Sequence, residues 1–171
     1  MRRLACLLLL LAPIAYAGGP HDFDWELGKW KTSMRVRLHP LSGSNEWKEL
    51  EGTSTVTPLL GGRANIVELS ADGGGLHIEG VSVRLYHPDA QQWALHYANL
   101  RDGLLTTPVT GGFKDGRGEF YGPDTLNGRA IFVRFIVTQL TPESWHFEQS
   151  FSDDGGKTWE TNWIATDTKM K

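Results

Sequence analysis

The sequence predicts an all-β protein, a single up-and-down antiparallel β-barrel of about ten strands. Three observations lead there. Short runs alternate apolar and polar residues, clusters of Gly, Pro and Asp punctuate them, and no stretch beyond residue 17 carries a convincing helical period. A meander of that many strands has two edges to protect. Closing on itself removes both.

The clearest pair of strands lies near the C-terminus, on either side of Asp153, Asp154, Gly155 and Gly156. Trp145, Phe147, Gln149 and Phe151 fall on one face of the first, and Trp159, Thr161 and Trp163 are expected to share a face of the second. So much aromatic surface needs a cover. The rest of a curved sheet supplies it.

Taken in order, residues 21–28 read as a short helical or irregular lead-in. Trp30, Thr32, Met34, Val36 and Leu38 then alternate with Lys29, Lys31, Ser33, Arg35 and Arg37, a half-buried strand with a basic outer face. A second strand covers residues 46–57, where Pro58 is expected to stop it. A third follows Gly61 and Gly62, through residues 65–69. The fourth, residues 76–86, sets Val81, Val83 and Leu85 against Ser82, Arg84 and Tyr86. In the fifth, residues 92–98, Trp93, Leu95 and Tyr97 share a face.

The sixth strand, residues 104–113, is broken at Pro108, and a short seventh spans 119–121 before a turn over residues 123–128. The eighth, residues 129–140, is apolar on both faces, with Ile131, Val133, Phe135 and Val137 against Phe132 and Ile136. Such a strand calls for an outer cover or a partner subunit, and a homodimer through it is one expectation.

Residues 1–17 have a basic start, an apolar middle too short to span a bilayer, and small residues at Ala15 and Ala17. They read as a secretory signal peptide, so residues 18–171 form the barrel domain of a periplasmic or secreted protein. Cleavage after Ala17 leaves 171 − 17 = 154 residues and removes Cys6, the only cysteine. Packing alone must then hold the fold. Loss of Arg2 and Arg3 moves the formal charge from −3 to −5, with the charges scattered. That argues against nucleic acid and anionic membrane as partners, and no later apolar run reaches transmembrane length, so no membrane insertion is expected.

Gly28-Lys29-Trp30 at the start of the first strand resembles the Gly-x-Trp of the lipocalin and calycin barrels. His21-Asp-Phe-Asp, Gly61-Gly62-x-x-Asn65, Pro108-Val-x-Gly111, Phe120-Tyr-Gly-x-Asp124 and the run from Glu148 to Trp163 extend the likeness. Together they resemble a group of lipocalin-like domains with a Phe-x-x-x-Gly-x-Trp start and a Trp-Glu-x-Asn-Trp end, from about residue 21 to residue 169. The resemblance implies a calycin-type barrel and brings no particular activity. It also implies a His-Arg pair in the first strand, where this chain has Met34-Arg35.

In such a barrel Gly28 and Trp30 mark the closed end, with Trp30 as a plug covered by a basic residue from a late strand, Arg134 or Arg129. Strand parity offers Tyr97 and Gln149, among Trp93 and the aromatics of residues 145–151, as polar tips in an apolar cavity. Arg84, Arg134, Trp163 and Glu68 complete the candidate ligand-binding set. Charges inside strands must be paired, solvated outside, or line a wet cavity.

The six histidines show no metal-ligand spacing, which argues against a metal. The resemblance to calycin barrels implies extra glycines after the Gly-x-Trp in the haem-carrying ones, and Lys31-Thr32 stand there instead, so no cofactor is expected. Ser152-x-Asp154-x-Gly156-x-Thr158-Trp159 fits an Asp-box turn, in which Asp154 satisfies turn amides and Trp159 packs beneath. No nucleophile elbow or triad spacing is present.

The expected function is binding of a small apolar or amphipathic molecule in an aromatic-lined cavity. The alternatives are a lyase- or isomerase-type enzyme using Glu68 or Glu148 as an inward acid, and a structural protein dimerising through its eighth strand.

Overall fold

The computed structural model describes residues 18–171, so the expected signal peptide, residues 1–17, lies outside the described residues. A 3₁₀ turn at Asp24–Glu26 leads into ten antiparallel strands: β1 (Gly28–Arg37), β2 (Trp47–Leu59), β3 (Ala64–Gly73), β4 (Leu76–His87), β5 (Gln92–Asn99), β6 (Val109–Lys114), β7 (Arg117–Leu126), β8 (Arg129–Thr141), β9 (Ser144–Ser152) and β10 (Glu160–Lys169). Each pairs with its sequence neighbours. β1 pairs with β10, from Trp30 opposite Lys169 to Val36 opposite Trp163, and the barrel closes.

Alternation does what the sequence requires in β1, where Trp30, Thr32, Met34 and Val36 are buried and the intervening Lys29, Lys31, Ser33 and Arg35 are exposed. Close approach of neighbouring strands depends on small residues. A Cβ at Gly52 would lie 2.0 Å from the Ser70 carbonyl oxygen, and one at Gly111 would lie 1.9 Å from that of Glu119. Glycine removes both clashes.

Several strand boundaries differ from expectation. β2 runs through Pro58, and β7 runs from Arg117 through Pro123 to Leu126. One cause explains both. β1 pairs with β2 only as far as Val56, and β6 with β7 only as far as Tyr121. Each proline therefore sits past the end of one neighbour, where a missing N–H is tolerated. β6 begins only at Val109 and meets β5 over Trp93–Gly111, Ala94–Thr110 and Leu95–Val109, the shortest ladder of the barrel.

A further difference is a register shift between Thr161 and Trp163 of β10. The extra residue, Asn162, flips the faces, so Trp163 points into the barrel while Trp159 stacks outside against Tyr121, 5.9 Å between ring centroids. On β8, Ile136 is buried although it belongs to the outer set, and Phe132 stays 46% exposed.

The core has two parts. The larger contains Phe23, Trp30, Trp93, Phe113, Phe120 and Trp145; the smaller contains Met34, Val36, Leu50, Ala71 and Ala165.

Candidate functional site

The closed end is a built plug. Gly28 begins β1 with φ 122°, a conformation open to glycine, and sets the angle at which the lead-in turns under the barrel. The Trp30 Nε1–H donates to the Glu26 carbonyl oxygen at 2.6 Å and ties that lead-in to β1. Phe23 enters from below, edge-on to Trp93 and to Phe113, each 4.9 Å between centroids. The basic cover on Trp30 is Lys169, with Nζ 5.2 Å from the ring centroid. It is not Arg134 or Arg129: Arg134 lies over the ring of Trp159 and Arg129 pairs with Asp153, while Lys169 lies directly across from Trp30.

Above the plug lies a cavity of about 110 Å³. That is several times the ~10–15 Å³ one water needs. Its walls are mostly apolar, with Met34, Leu69, Leu95, Phe135, Phe147 and Trp163 among the lining. The lower lining residues Thr32, Ser54, Arg84, Trp145 and Asp167 are buried, whereas Leu69, Ser82, Tyr97, Phe147, Gln149 and Trp163 keep partial exposure. The cavity therefore has a sealed floor and a mouth at the other side.

The floor is ionic. β4 turns Ser82 and Arg84 inward and leaves Leu85 exposed, so the polar face of that strand is the inner one. Arg84 is 6% exposed and its Nη1–H donates to Glu26 Oε2 at 2.6 Å, with the guanidinium 4.3 Å from the centroid of Phe23. Glu26 is fully buried. Burial pushes its carboxyl up, against the pull of Arg84.

Asp167 is the second buried acid, 1% exposed. The Ser54 hydroxyl donates to its Oδ1 at 2.9 Å, and the Thr32 hydroxyl donates to the same oxygen. Desolvation raises its pKa to about 6 despite those two donors and the nearby charge of Arg84. Tyr97 Oη and Trp145 Nε1 are buried without a hydrogen-bond partner. Burial, and secondarily Asp102, pushes the Tyr97 phenol up, so it remains protonated.

Of the sequence candidates, the structure brings Arg84, Tyr97, Gln149 and Trp163 to this cavity. Gln149 is held by its Nε2–H donating to Asn162 Oδ1 at 2.7 Å. The other three lie elsewhere. Trp93 is buried in the plug, its Nε1–H donating to the Gly19 carbonyl oxygen at 3.1 Å. Arg134 lies outside, 4.8 Å over the ring of Trp159. Glu68 is exposed on the outer face of β3. Glu148 also points outward, 3.1 Å from His146 Nε2, so neither Glu68 nor Glu148 offers an inward acid.

Glu26 and Asp167 were missed by sequence reasoning. For Asp167 a signal exists: Trp163, Ala165 and Asp167 share one parity, which carries the inward face of β10 down to the carboxylate. The Asp-box turn is as expected. Asp154 Oδ1 accepts the amides of Lys157 and Thr158, both at 3.0 Å, and its carboxyl is held far below the usual range chiefly by Thr158. Among the described residues no group of three or more His, Cys, Asp or Glu is placed to hold a metal ion, and no helix is long and apolar enough to cross a membrane.

Fold and site together define a closed ten-stranded up-and-down barrel with an apolar cavity on an ionic floor. No family model and no curated protein matches the sequence. Among solved structures the chain is similar to the S-type phycobiliprotein lyase CPES from Guillardia theta, at 12% identity and a TM-score of 0.58, over 87% of this chain and 90% of that one. It is also similar to EF1p2_mFAP2b bound to DFHBI, at 10% identity and a TM-score of 0.49, over 88% and 98%. A de novo designed fluorescence-activating β-barrel matches at 11% identity, a TM-score of 0.49, and the same coverage of 88% and 98%. At these identities the likeness is one of fold.

Proposed function

We propose that this protein is an exported, lipocalin-like barrel that binds one small, mostly apolar molecule. The observation that carries the reading is the cavity: about 110 Å³, walled by aromatic and aliphatic side chains, sealed below and reached from one side. Apolar walls with few and convergent polar groups are the usual lining of a small-molecule site. Membership of the lipocalin-like group is supported by the Gly28-x-Trp30 start and the run from Glu148 to Trp163. Export is supported by the pattern of residues 1–17 and tested by the N-terminal sequence of protein recovered outside the cytoplasm.

Native mass spectrometry against a panel of lipids and aromatic compounds tests the binding. One bound molecule per chain, retained after gentle desolvation, is the expected result; a panel with no retained member contradicts it.

A second reading has its own observation. Asp167 titrates near neutrality inside the cavity, as a general acid or base must, and the phycobiliprotein lyase has the same fold. On that reading Asp167, not Glu68 or Glu148, moves the proton. Loss of turnover, with binding kept, in an Asp167→Asn variant on a bound carbonyl compound distinguishes it from simple carriage.

A further inference from the structure

The charges on the cavity floor do not balance. Glu26 and Asp167 are both buried and face a single guanidinium. Arg84 makes its hydrogen bond to Glu26 at 2.6 Å, whereas Asp167 receives only two neutral hydroxyls, both on Oδ1. Its Oδ2 receives neither, and Asp167 lines the cavity. A buried carboxylate is stable when paired, so this oxygen is short of a positive charge. A second observation concerns the same floor. Glu26 Oε1, an acceptor, is buried with no hydrogen-bond partner, so the bond from Arg84 leaves acceptor capacity on both acids unfilled.

We propose that the ligand ends in a protonated amine that donates to Asp167 Oδ2, while its apolar body lies against Met34, Leu69, Phe147 and Trp163. The proposal rests on the binding reading above and names the ligand's polar end. An ammonium supplies the second cation that the two acids lack. A carboxylate ligand would instead bring a third acid beside them, and an alcohol of equal length would fit the walls without completing the charge.

The groups that face Asp167 make its response to pH readable. The lead-in contributes Glu26, β4 contributes Arg84, and β5 places the Tyr97 phenol on the far wall; β1, β2 and β9 contribute Thr32, Ser54 and Trp145, none of them charged. On β10 itself, Lys169 is turned to the ring of Trp30. Asp167, with a pKa set at about 6, changes charge between pH 5 and pH 8; Glu26, also pushed up by burial, keeps its hydrogen bond from Arg84. Below that value the ammonium must displace a proton from Asp167 before it can pair.

The test uses displacement of N-phenyl-1-naphthylamine by hexylamine, 1-hexanol and hexanoate, on the mature protein and on Asp167→Asn. At pH 8 hexylamine should bind at least tenfold more tightly than either analogue. Its advantage over hexanol should fall by about tenfold at pH 5. In Asp167→Asn, shown folded by cooperative thermal melting, the amine-to-alcohol ratio should approach one. Should that variant not fold, the pH dependence in the wild-type protein still decides. Hexanol or hexanoate binding as tightly as the amine, or an amine preference that survives Asp167→Asn, overturns this inference alone. A dye that binds but is displaced by none of the three overturns this inference alone; failure of the dye to bind overturns the cavity reading with it.

Discussion

The rings of Tyr97 and Trp163 meet edge to face, 6.3 Å between centroids and 80° between planes, although β5 and β10 stand on opposite sides of the barrel. The two side chains thus reach across the lumen at the upper, partly exposed end of the cavity. Space for Tyr97 comes from Gly80 on the neighbouring strand, where a Cβ would lie 2.4 Å from the phenol oxygen. The hydroxyl itself has no partner.

Tyr97→Phe keeps the ring contact and removes that unpartnered oxygen. Its stability in urea should equal or exceed that of the wild-type protein, by up to ~1 kcal/mol. Gly80→Ala should act in the opposite sense, displacing the ring from Trp163 and speeding ligand release in stopped-flow fluorescence.

Among the described residues, Arg84 is the sole cation bonded to a carboxylate with no exposure. Arg84→Met leaves Glu26 buried and unpaired, which costs ~3–5 kcal/mol. Adding Glu26→Gln to that variant should recover most of the loss, because the stranded charge is gone. A double-mutant cycle in chemical denaturation measures both quantities.

Asp167 makes stability depend on pH with a definite sign. Its pKa is raised from 3.8 to about 6 by folding. Below pH 3.8 the carboxyl is protonated in both states and opposes nothing. As pH rises toward 6 the unfolded chain loses its proton first, and the folded state is progressively disfavoured. Above that value the full penalty of about 3 kcal/mol stands. Asp167→Asn should therefore melt higher than wild type at pH 8 and close to it at pH 4, as read by calorimetry across that range.

The plug carries the largest packing contribution. Trp30 is 1% exposed, bonded to the lead-in and covered by Lys169. Trp30→Ala should cost ~3–5 kcal/mol through the void it leaves. Lys169→Ala should cost only ~0.5–1 kcal/mol, the size of a partly exposed cation–π contact. Thermal melting of the two variants separates a core residue from its cover.

The barrel was legible because its information is local. The alternation from Trp30 to Val36 names one face without any other strand, and the turn at Asp154 is written in five neighbouring residues. The floor of the cavity is not local. Asp167 meets Thr32 and Ser54 from 135 and 113 positions away, and Arg84 meets Glu26 across 58. In sequence, Thr166-Asp167-Thr168-Lys169 looks like a solvated strand end. Trp159 and Trp163 show the opposite error: four residues apart, they imply one face, and the inserted Asn162 puts them on two. Spacing cannot reveal a bulge that only the partner strand defines.

The proposed ligand binding depends on the cavity, and one titration addresses it directly. N-phenyl-1-naphthylamine, a neutral dye whose emission rises in apolar surroundings, should bind residues 18–171 saturably at one molecule per chain and quench their tryptophans. Leu69→Trp and Ala165→Phe, which fill the lumen from β3 and β10, should abolish the signal while the proteins still melt cooperatively. No saturable binding by the wild-type protein, or equal binding by both filled variants, would contradict a ligand site inside this barrel.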